Sequence, residues 1–273
     1  MAFLGQRAVS GVEEVVGGVY RRSLALPGGA GVLELALDDG FIRARFWLED
    51  EGDVDVAVRG VRGLLDLDTD PMEVADALGR DPLIGPLVAG SPGRRVPGHV
   101  DPHELAVRAV LGQQVSLGAA AGLAARLARE YGAKLARPRA GVTRLFPSAA
   151  TLAAVDPERL PLPGTRRRAL IALTRALASG ELRFDGEADR RETRRRLLAL
   201  TGIGAWTTEY IAMRALGDRD AFLPTDLGVR RAFARLGLAD DSRSVAEVAE
   251  RWRPYRAYAM VHLWAELGAP VRG

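Results

Sequence analysis

Hydrophobic positions alternate with polar ones in two stretches near the start of the chain, residues 32–37 and Phe41–Leu48, with the turn sequence Asp38-Asp39-Gly40 between them. Alternation on both sides of an Asp-Gly pair predicts a β-hairpin. The period then changes: Val54, Val58, Val61 and Leu65 are spaced for one face of a helix over residues 53–65. A segment rich in proline and glycine, within residues 81–100, predicts a linker packing with the helical body. Beyond it the strand pattern disappears. Asp101-Pro102 with Glu104 three residues after the cap position starts a helix that runs to about residue 112. Helical spacing continues over 116–131, 148–155, 165–178, 189–200, 205–216, 226–236, 245–251 and 255–267. The fold class is therefore α+β: a small N-terminal α+β module with an antiparallel sheet over residues 1–80, then a large all-α part. That part divides into a helical subdomain over 101–225, with a helical hairpin at 190–217, and C-terminal helices over 226–273.

Composition narrows the chemistry. At 273 residues and 48% hydrophobic, the chain has enough apolar material for one large core or two smaller ones. It has no cysteine, which excludes disulfides, thiolate zinc sites, a cysteine nucleophile and a cysteine-held iron–sulfur cluster. Lys134 is the only lysine. The net charge of +3 hides an asymmetry: residues 1–100 carry 10 Arg against 16 Asp plus Glu, whereas residues 101–273 carry 28 Lys plus Arg against 19 acids. A basic second part attracts polyanions and points to a nucleic acid, with solvated helix faces as the plain alternative. His99, His103 and His262 lack ligand spacing, so no metal site is expected among them. No run approaches the ~18 apolar residues of a membrane span, and the first residues lack the pattern of a secretory leader, so the expectation is a cytoplasmic protein with no membrane partner.

The most informative segment is 194–210, RRRLLALTGIGAWTTEY. It reads as a helix, a Thr201-Gly202-Ile203-Gly204 break and a second helix beginning at once, with Ile203 free to plug the space below the turn. The first amides of that second helix have no partner within it, and a phosphate oxygen can accept from them without any side chain. The plain alternative is a helical hairpin with glycine caps.

The order of hairpin, helix and then Phe222-Leu223-Pro224-Thr225-Asp226 resembles the helix–hairpin–helix DNA glycosylase superfamily, and within it the bacterial 3-methyladenine DNA glycosylase II (AlkA) type. The likeness is carried by residues 107–117 (VRAVLGQQVSL), 202–210, 222–226 and 250–264 (ERWRPYRAYAMVHLW), and by 7–26 (RAVSGVEEVVGGVYRRSLAL) for the N-terminal module. It implies a helix–hairpin–helix glycosylase core whose C-terminal helices close an active-site cleft. The activity it implies is that of a monofunctional enzyme of base excision repair. Such an enzyme flips alkylated purines of the 3-methyladenine and 7-methylguanine type out of duplex DNA and releases them by hydrolysis. It implies a nucleoid-associated bacterial monomer.

On this resemblance Asp226 matches the catalytic aspartate, a carboxylate that stabilises the oxocarbenium-like sugar and directs water at it. From its own neighbourhood Asp226 also reads as a helix cap, and the two roles are compatible. Trp206, Tyr210 and Trp264 fall where the family lines its base pocket; a cationic base on a tryptophan face gains about 0.5–2 kcal/mol. Core packing is the alternative for all three. Thr201, Gly202, Ile203, Gly204 and Thr207 would meet the DNA backbone. Gln114 stands where the family uses a leucine wedge, a departure that puts an apolar wedge in doubt. The family's monovalent cation would rest on the carbonyls of Leu200, Gly202 and Ala205, with no other cofactor. Relatives that also cut the strand carry a lysine where Trp206 stands, so a lyase is not expected. The arginines of residues 190–196 would track phosphates or be solvated, and the turn at 162–165 would be a second phosphate contact or a capped helix start. The match begins at Phe3-Leu4, which raises a fusion to an adaptive-response regulator module. Two other readings stay open: a non-catalytic helix–hairpin–helix DNA-binding module, and a glycosylase of the same fold for deaminated bases.

Overall fold

The computed structural model describes residues 1–160, 162–185 and 189–268. A short helix α1 (Ala2–Gly5) leads into a four-stranded antiparallel sheet of β1 (Glu13–Val16), β2 (Val19–Leu26), β3 (Gly29–Asp38) and β4 (Phe41–Leu48), in that spatial order. The expected hairpin is β3–β4, closed between Asp38 and Phe41 by Asp39 and Gly40, both with positive φ, as a two-residue turn requires. A second hairpin, β1–β2, turns at Gly17-Gly18 between the paired Val16 and Val19. The Gly-Gly pair between valines was a readable signal for it.

The remaining helices are α2 (Val54–Leu64), α3 (Pro71–Leu78), α4 (Gly85–Gly90), α5 (Pro102–Leu111), α6 (Leu117–Tyr131), α7 (Ala149–Ala153), α8 (Gly164–Ala178), α9 (Arg190–Ala199), α10 (Ala205–Ala215), α11 (Leu227–Arg235), α12 (Ser242–Ala249) and α13 (Arg256–Glu266). Side-chain caps set many of the starts: Asp101 accepts from the His103 and Glu104 amides, Ser116 from Ala119, Asp189 from Arg191 and Glu192, and Asp241 from Arg243 and Ser244.

One expectation is corrected. The part after Asp101 is not purely helical, because β5 (Lys134–Arg139) and β6 (Val142–Arg144) form a two-stranded sheet turning at Ala140-Gly141. Its sequence, KLARPRAGVTR, lacks alternation because only Leu135 and Val142 are buried, packed with Val32 of β3. Long-range partners replace the missing pattern: Glu14 accepts from the Gly141 amide, and the Gly11 carbonyl from the Thr143 and Arg144 amides.

The chain forms two compact units, each built from two stretches: residues 1–61 with 100–203, and 62–99 with 204–273. These units cut across the linear division read from the sequence, since 62–80 cluster with the C-terminal helices rather than with the sheet. In the first unit a buried ionic cluster joins β1 and β2 to α5: Arg22 donates to Glu104 at 2.7 Å, Arg108 to Glu104 at 2.9 Å, and Arg108 also pairs with Glu13. Two guanidiniums thus meet two carboxylates, the balance that buried charges need. Glu104 therefore serves this cluster, although its spacing read as part of a helix start. In the second unit the Pro/Gly-rich segment is structural: it carries α4 and puts Ile84, Val88 and Val96 into a core with Phe222, Leu223, Val229, Phe233, Trp252 and Met260. Residues 269–273, the end of the last predicted segment, lie outside the described residues. Among the described residues no helix is long and apolar enough to cross a membrane.

Candidate active site

In the second unit Asp226 is the N-cap of α11: its Oδ1 accepts from the Val229 amide at 3.0 Å. The cap reading was thus sound, and the same carboxylate does more. The Trp264 indole N–H donates to Oδ1 at 2.9 Å and the Trp206 indole N–H donates to Oδ2 at 2.9 Å. Three donors from α10, α11 and α13 therefore converge on one half-buried carboxylate, and hydrogen bonds to ionised acceptors are among the stronger ones. The extended loop ahead of it is itself fixed. Arg256 donates to the carbonyl and carboxylate of Asp220, and the Asp226 amide donates to the Leu223 carbonyl at 3.0 Å.

Trp206 and Tyr210 stack on each other, with ring centroids 5.1 Å apart and planes 9° from parallel. Both, with Trp264, pack on the edge of the core while remaining half-buried. The three predicted pocket residues therefore gather at one place with Asp226, but Trp206 and Tyr210 do not face each other across a slot. Sequence reasoning missed two neighbours. Gly228 packs tightly against Asp226 and Trp264: a Cβ there would lie 3.0 Å from Asp226 Oδ1 and 3.0 Å from Trp264 Cδ1, so both side chains would have to shift by a few tenths of an ångström to admit it. Arg214, buried at 6% exposure, donates to the Tyr210 hydroxyl at 2.8 Å and to the carbonyls of Pro97 and Gly98 at 2.7 and 2.9 Å. The i, i+4 spacing of Trp206, Tyr210 and Arg214 on one helix was the available signal.

The first unit holds the predicted contacts Gln114, Thr201, Gly202 and Ile203. Thr201 and Gly202 are exposed and Ile203 is buried beneath them. Gly202 has φ +83°, and a Cβ would meet Ala169 Cβ of α8 at 2.8 Å, so this turn admits only glycine on two counts. The carbonyl of Gly202 accepts from Gln113 Nε2 at 3.0 Å and that of Leu200 from the Ile203 amide at 3.1 Å. Gln114 next to it is exposed at φ +56°, a left-handed conformation unusual for a non-glycine residue. The turn at 162–165 is the start of α8, with no side-chain cap and with Gly164 and Thr165 exposed. The three turns lie close together through Gly202, whose carbonyl accepts from Gln113 and whose added Cβ would lie 3.4 Å from the Thr165 carbonyl. In the arginine run, Arg195 and Arg196 both bond Glu192, whose carboxyl they hold down at a pKa of about 2.

In the second unit Gly204 is the exposed N-cap of α10, also without a side-chain cap. Thr207 is buried at 3% exposure, so its side chain faces the interior and any contact of this residue with a ligand would be made by its backbone. It is the third residue of α10, on the side of the helix that turns inward.

Comparison with known proteins matches the chain in two consecutive stretches, which do not coincide with the two compact units. The family model of the AlkA N-terminal domain matches residues 1–101, and that of the HhH-GPD superfamily base excision DNA repair protein matches residues 107–256. A Mycobacterium tuberculosis protein named probable bifunctional transcriptional activator/DNA repair enzyme AlkA is 45% identical over 268 residues, covering 98% of this chain and 54% of its own length. The chain thus spans about half of that curated relative. The Escherichia coli DNA-3-methyladenine glycosylase 2 is 37% identical over 271 residues, covering 97% of this chain and 91% of its own. Among solved structures, a 3-methyladenine DNA-glycosylase from Archaeoglobus fulgidus superposes with a TM-score of 0.81 at 24% identity, over 96% of this chain and 90% of that one. That similarity shows a shared fold.

Proposed function

This chain belongs to the HhH-GPD superfamily of base excision DNA repair proteins, and on that premise we propose that it is a monofunctional DNA glycosylase releasing alkylated purines from duplex DNA. One observation carries the reading: a single carboxylate, Asp226, held by two indole N–H groups and a backbone amide. Cleaving the bond between C1′ and a base puts positive charge on the sugar, and a fixed anion beside it is the group that stabilises such a transition state. An alkylated purine already carries the charge that makes it a leaving group, so no acid is needed to protonate it. The base departs with the bonding electrons, water adds to C1′, and its proton passes to Asp226 or to solvent. The products are free base and an abasic site. The indole faces of Trp206 and Trp264 suit a cationic base. Lys134, the only lysine, lies on β5, and Trp206 stands at the start of α10 where a Schiff-base lysine would be needed, which supports hydrolysis.

The exposed backbone at 201–202 and 163–165, with Gln114 in the gap left by the flipped base, would hold the duplex through sequence-independent contacts. The carbonyls of Leu200, Gly202 and Ala205 are neutral oxygens suited to a monovalent cation, and the bonds that two of them accept leave each a second lone pair. Such an ion would extend the phosphate contact. The reading places a monomer with the bacterial chromosome in the cytoplasm. The name of the mycobacterial relative supports a further reading, that the chain is the repair half of a longer polypeptide with a regulator module. A stop codon directly upstream of the coding sequence would refute that fusion.

The test is release of free base from methylated duplex DNA. The wild-type protein is expected to release 3-methyladenine and 7-methylguanine, leaving sites cut only by alkali, and Asp226→Asn to be slower by about 10²-fold or more. Duplex binding without any abasic product would instead favour a binding module, and release confined to deaminated bases a different lesion class.

A further inference from the structure

Resting on the reading of Asp226 as the reacting carboxylate, we propose that Tyr210 and Arg214 are positioning residues that fix the Trp206 indole and, through its N–H, the orientation of Asp226. The four residues form an unbroken series within one compact unit. Arg214 is anchored by the carbonyls of Pro97 and Gly98, at 2.7 and 2.9 Å. Its Nη1 donates to the Tyr210 hydroxyl at 2.8 Å. The Tyr210 ring lies flat on Trp206, and Trp206 Nε1 donates to Asp226 Oδ2 at 2.9 Å.

Each link restricts the next. A tryptophan side chain turns about two bonds, and its N–H reaches Oδ2 only over a narrow part of that range. A ring stacked 9° from parallel on one face limits this rotation. Tyrosine in turn is held at its far end by a guanidinium whose burial requires those acceptors. Helical spacing puts residues 206, 210 and 214 on one stripe of α10, so a single rigid element carries the series. A stacked pair leaves no space for a third ring between its members, so Tyr210 backs Trp206 and does not form the opposite wall of a base slot. Trp264 reaches Oδ1 from α13 independently, so loss of the series frees one oxygen of the carboxylate while the other stays held.

The test compares Tyr210→Leu and Arg214→Met with the wild type in the full chain. Two measurements are made: the single-turnover rate of base release at saturating enzyme, and affinity for a duplex carrying a tetrahydrofuran abasic analogue. The indole N–H resonances of the four tryptophans are recorded alongside. Both variants are expected to shift the Trp206 resonance, leave that of Trp47 in the other unit unchanged as a check on folding, and lower the rate about tenfold to a hundredfold with affinity within about twofold. Should Arg214→Met fail to fold, Tyr210→Leu alone decides. A Trp206 resonance and rate unchanged in the folded variants would overturn the proposal. So would weakened duplex binding with an unchanged saturated rate, which is the signature of a base wall. If the wild type releases no base, the glycosylase reading fails, whereas the resonances still report whether the series exists.

Discussion

Replacing Asp226 by asparagine keeps the size of the side chain and its value as a helix cap while removing the charge and one acceptor. The carboxylate takes three donors: Trp206 on Oδ2, and Trp264 with the Val229 amide on Oδ1. Asparagine has one acceptor oxygen, and its amide nitrogen must face any donor it cannot accept. Putting the oxygen at the Oδ1 position keeps two of the three bonds, and asparagine caps a helix as well as aspartate does. The loss therefore falls on Trp206, whose N–H would oppose an N–H. Losing a hydrogen bond to a charged group is worth about 1.5–3 kcal/mol. Both residues are half-buried, so water can partly replace it, and the net expectation is about 1–2 kcal/mol. Urea denaturation at neutral pH, followed by tryptophan fluorescence, measures that difference, and a base-release assay on the same preparation measures chemistry. The two readouts separate the roles. A variant within about 0.3 kcal/mol of wild type would refute the convergence of donors on Asp226, and one that releases base at the wild-type rate would refute its place in the reaction.

Gly228→Ala should gain up to about 1 kcal/mol of helix propensity in isolation, yet its Cβ meets Asp226 Oδ1 and Trp264 Cδ1 at 3.0 Å. The expected outcome is base release slowed about tenfold with little change in melting temperature, measured by single turnover and calorimetry. Gln114→Gly relieves a left-handed backbone worth about 1 kcal/mol, offset in part by the added freedom of the unfolded chain. Denaturation should therefore show equal or slightly greater stability, while excision from duplex DNA falls; unchanged excision would remove Gln114 from the flipping step. His262 is buried in the second unit, and desolvation first, then the charge of Arg94, lowers its pKa from 6.5 to about 4, against an opposing hydrogen bond with the Leu87 backbone. A depressed histidine pKa means that the unfolded chain binds the extra proton first, so stability is full above about pH 6.5 and is lost as the pH falls toward 4. Loss of about 1–3 kcal/mol over that window is expected by urea denaturation, and His262→Gln should flatten it.

Most of the helices were legible because their signals are local; Pro71–Leu78 and Gly85–Gly90 were not legible as helices. Asp101, Ser116, Asp189 and Asp226 cap in the structure where their spacing predicts a start, and the Asp-Gly turn closes the β3–β4 hairpin. The β5–β6 pair was not legible, because its strands are held by Gly11 and Glu14, more than a hundred residues away. Asp226 could be named from the order of motifs around it, but neither spacing nor composition could show that two indoles converge on it. That the Thr207 side chain points inward was not legible for a related reason: a helix start offers amides to a ligand, but which side chains of its first turn are buried depends on the core behind it.

By itself the sequence determined most of the helical segments, though not Pro71–Leu78 or Gly85–Gly90, and it determined where the glycine turn at 201–204 lies and that there is no thiol and only one lysine. These are properties of residue type and of spacing within a few positions, where backbone preference and capping act. The tertiary structure alone decided that residues 62–99 join 204–273, that Glu13, Arg22, Glu104 and Arg108 form a buried cluster, and that Trp206 and Trp264 hold Asp226. Burial and hydrogen bonding between distant residues leave no period in a chain, because each partner need only be of the right type once the fold has brought them together.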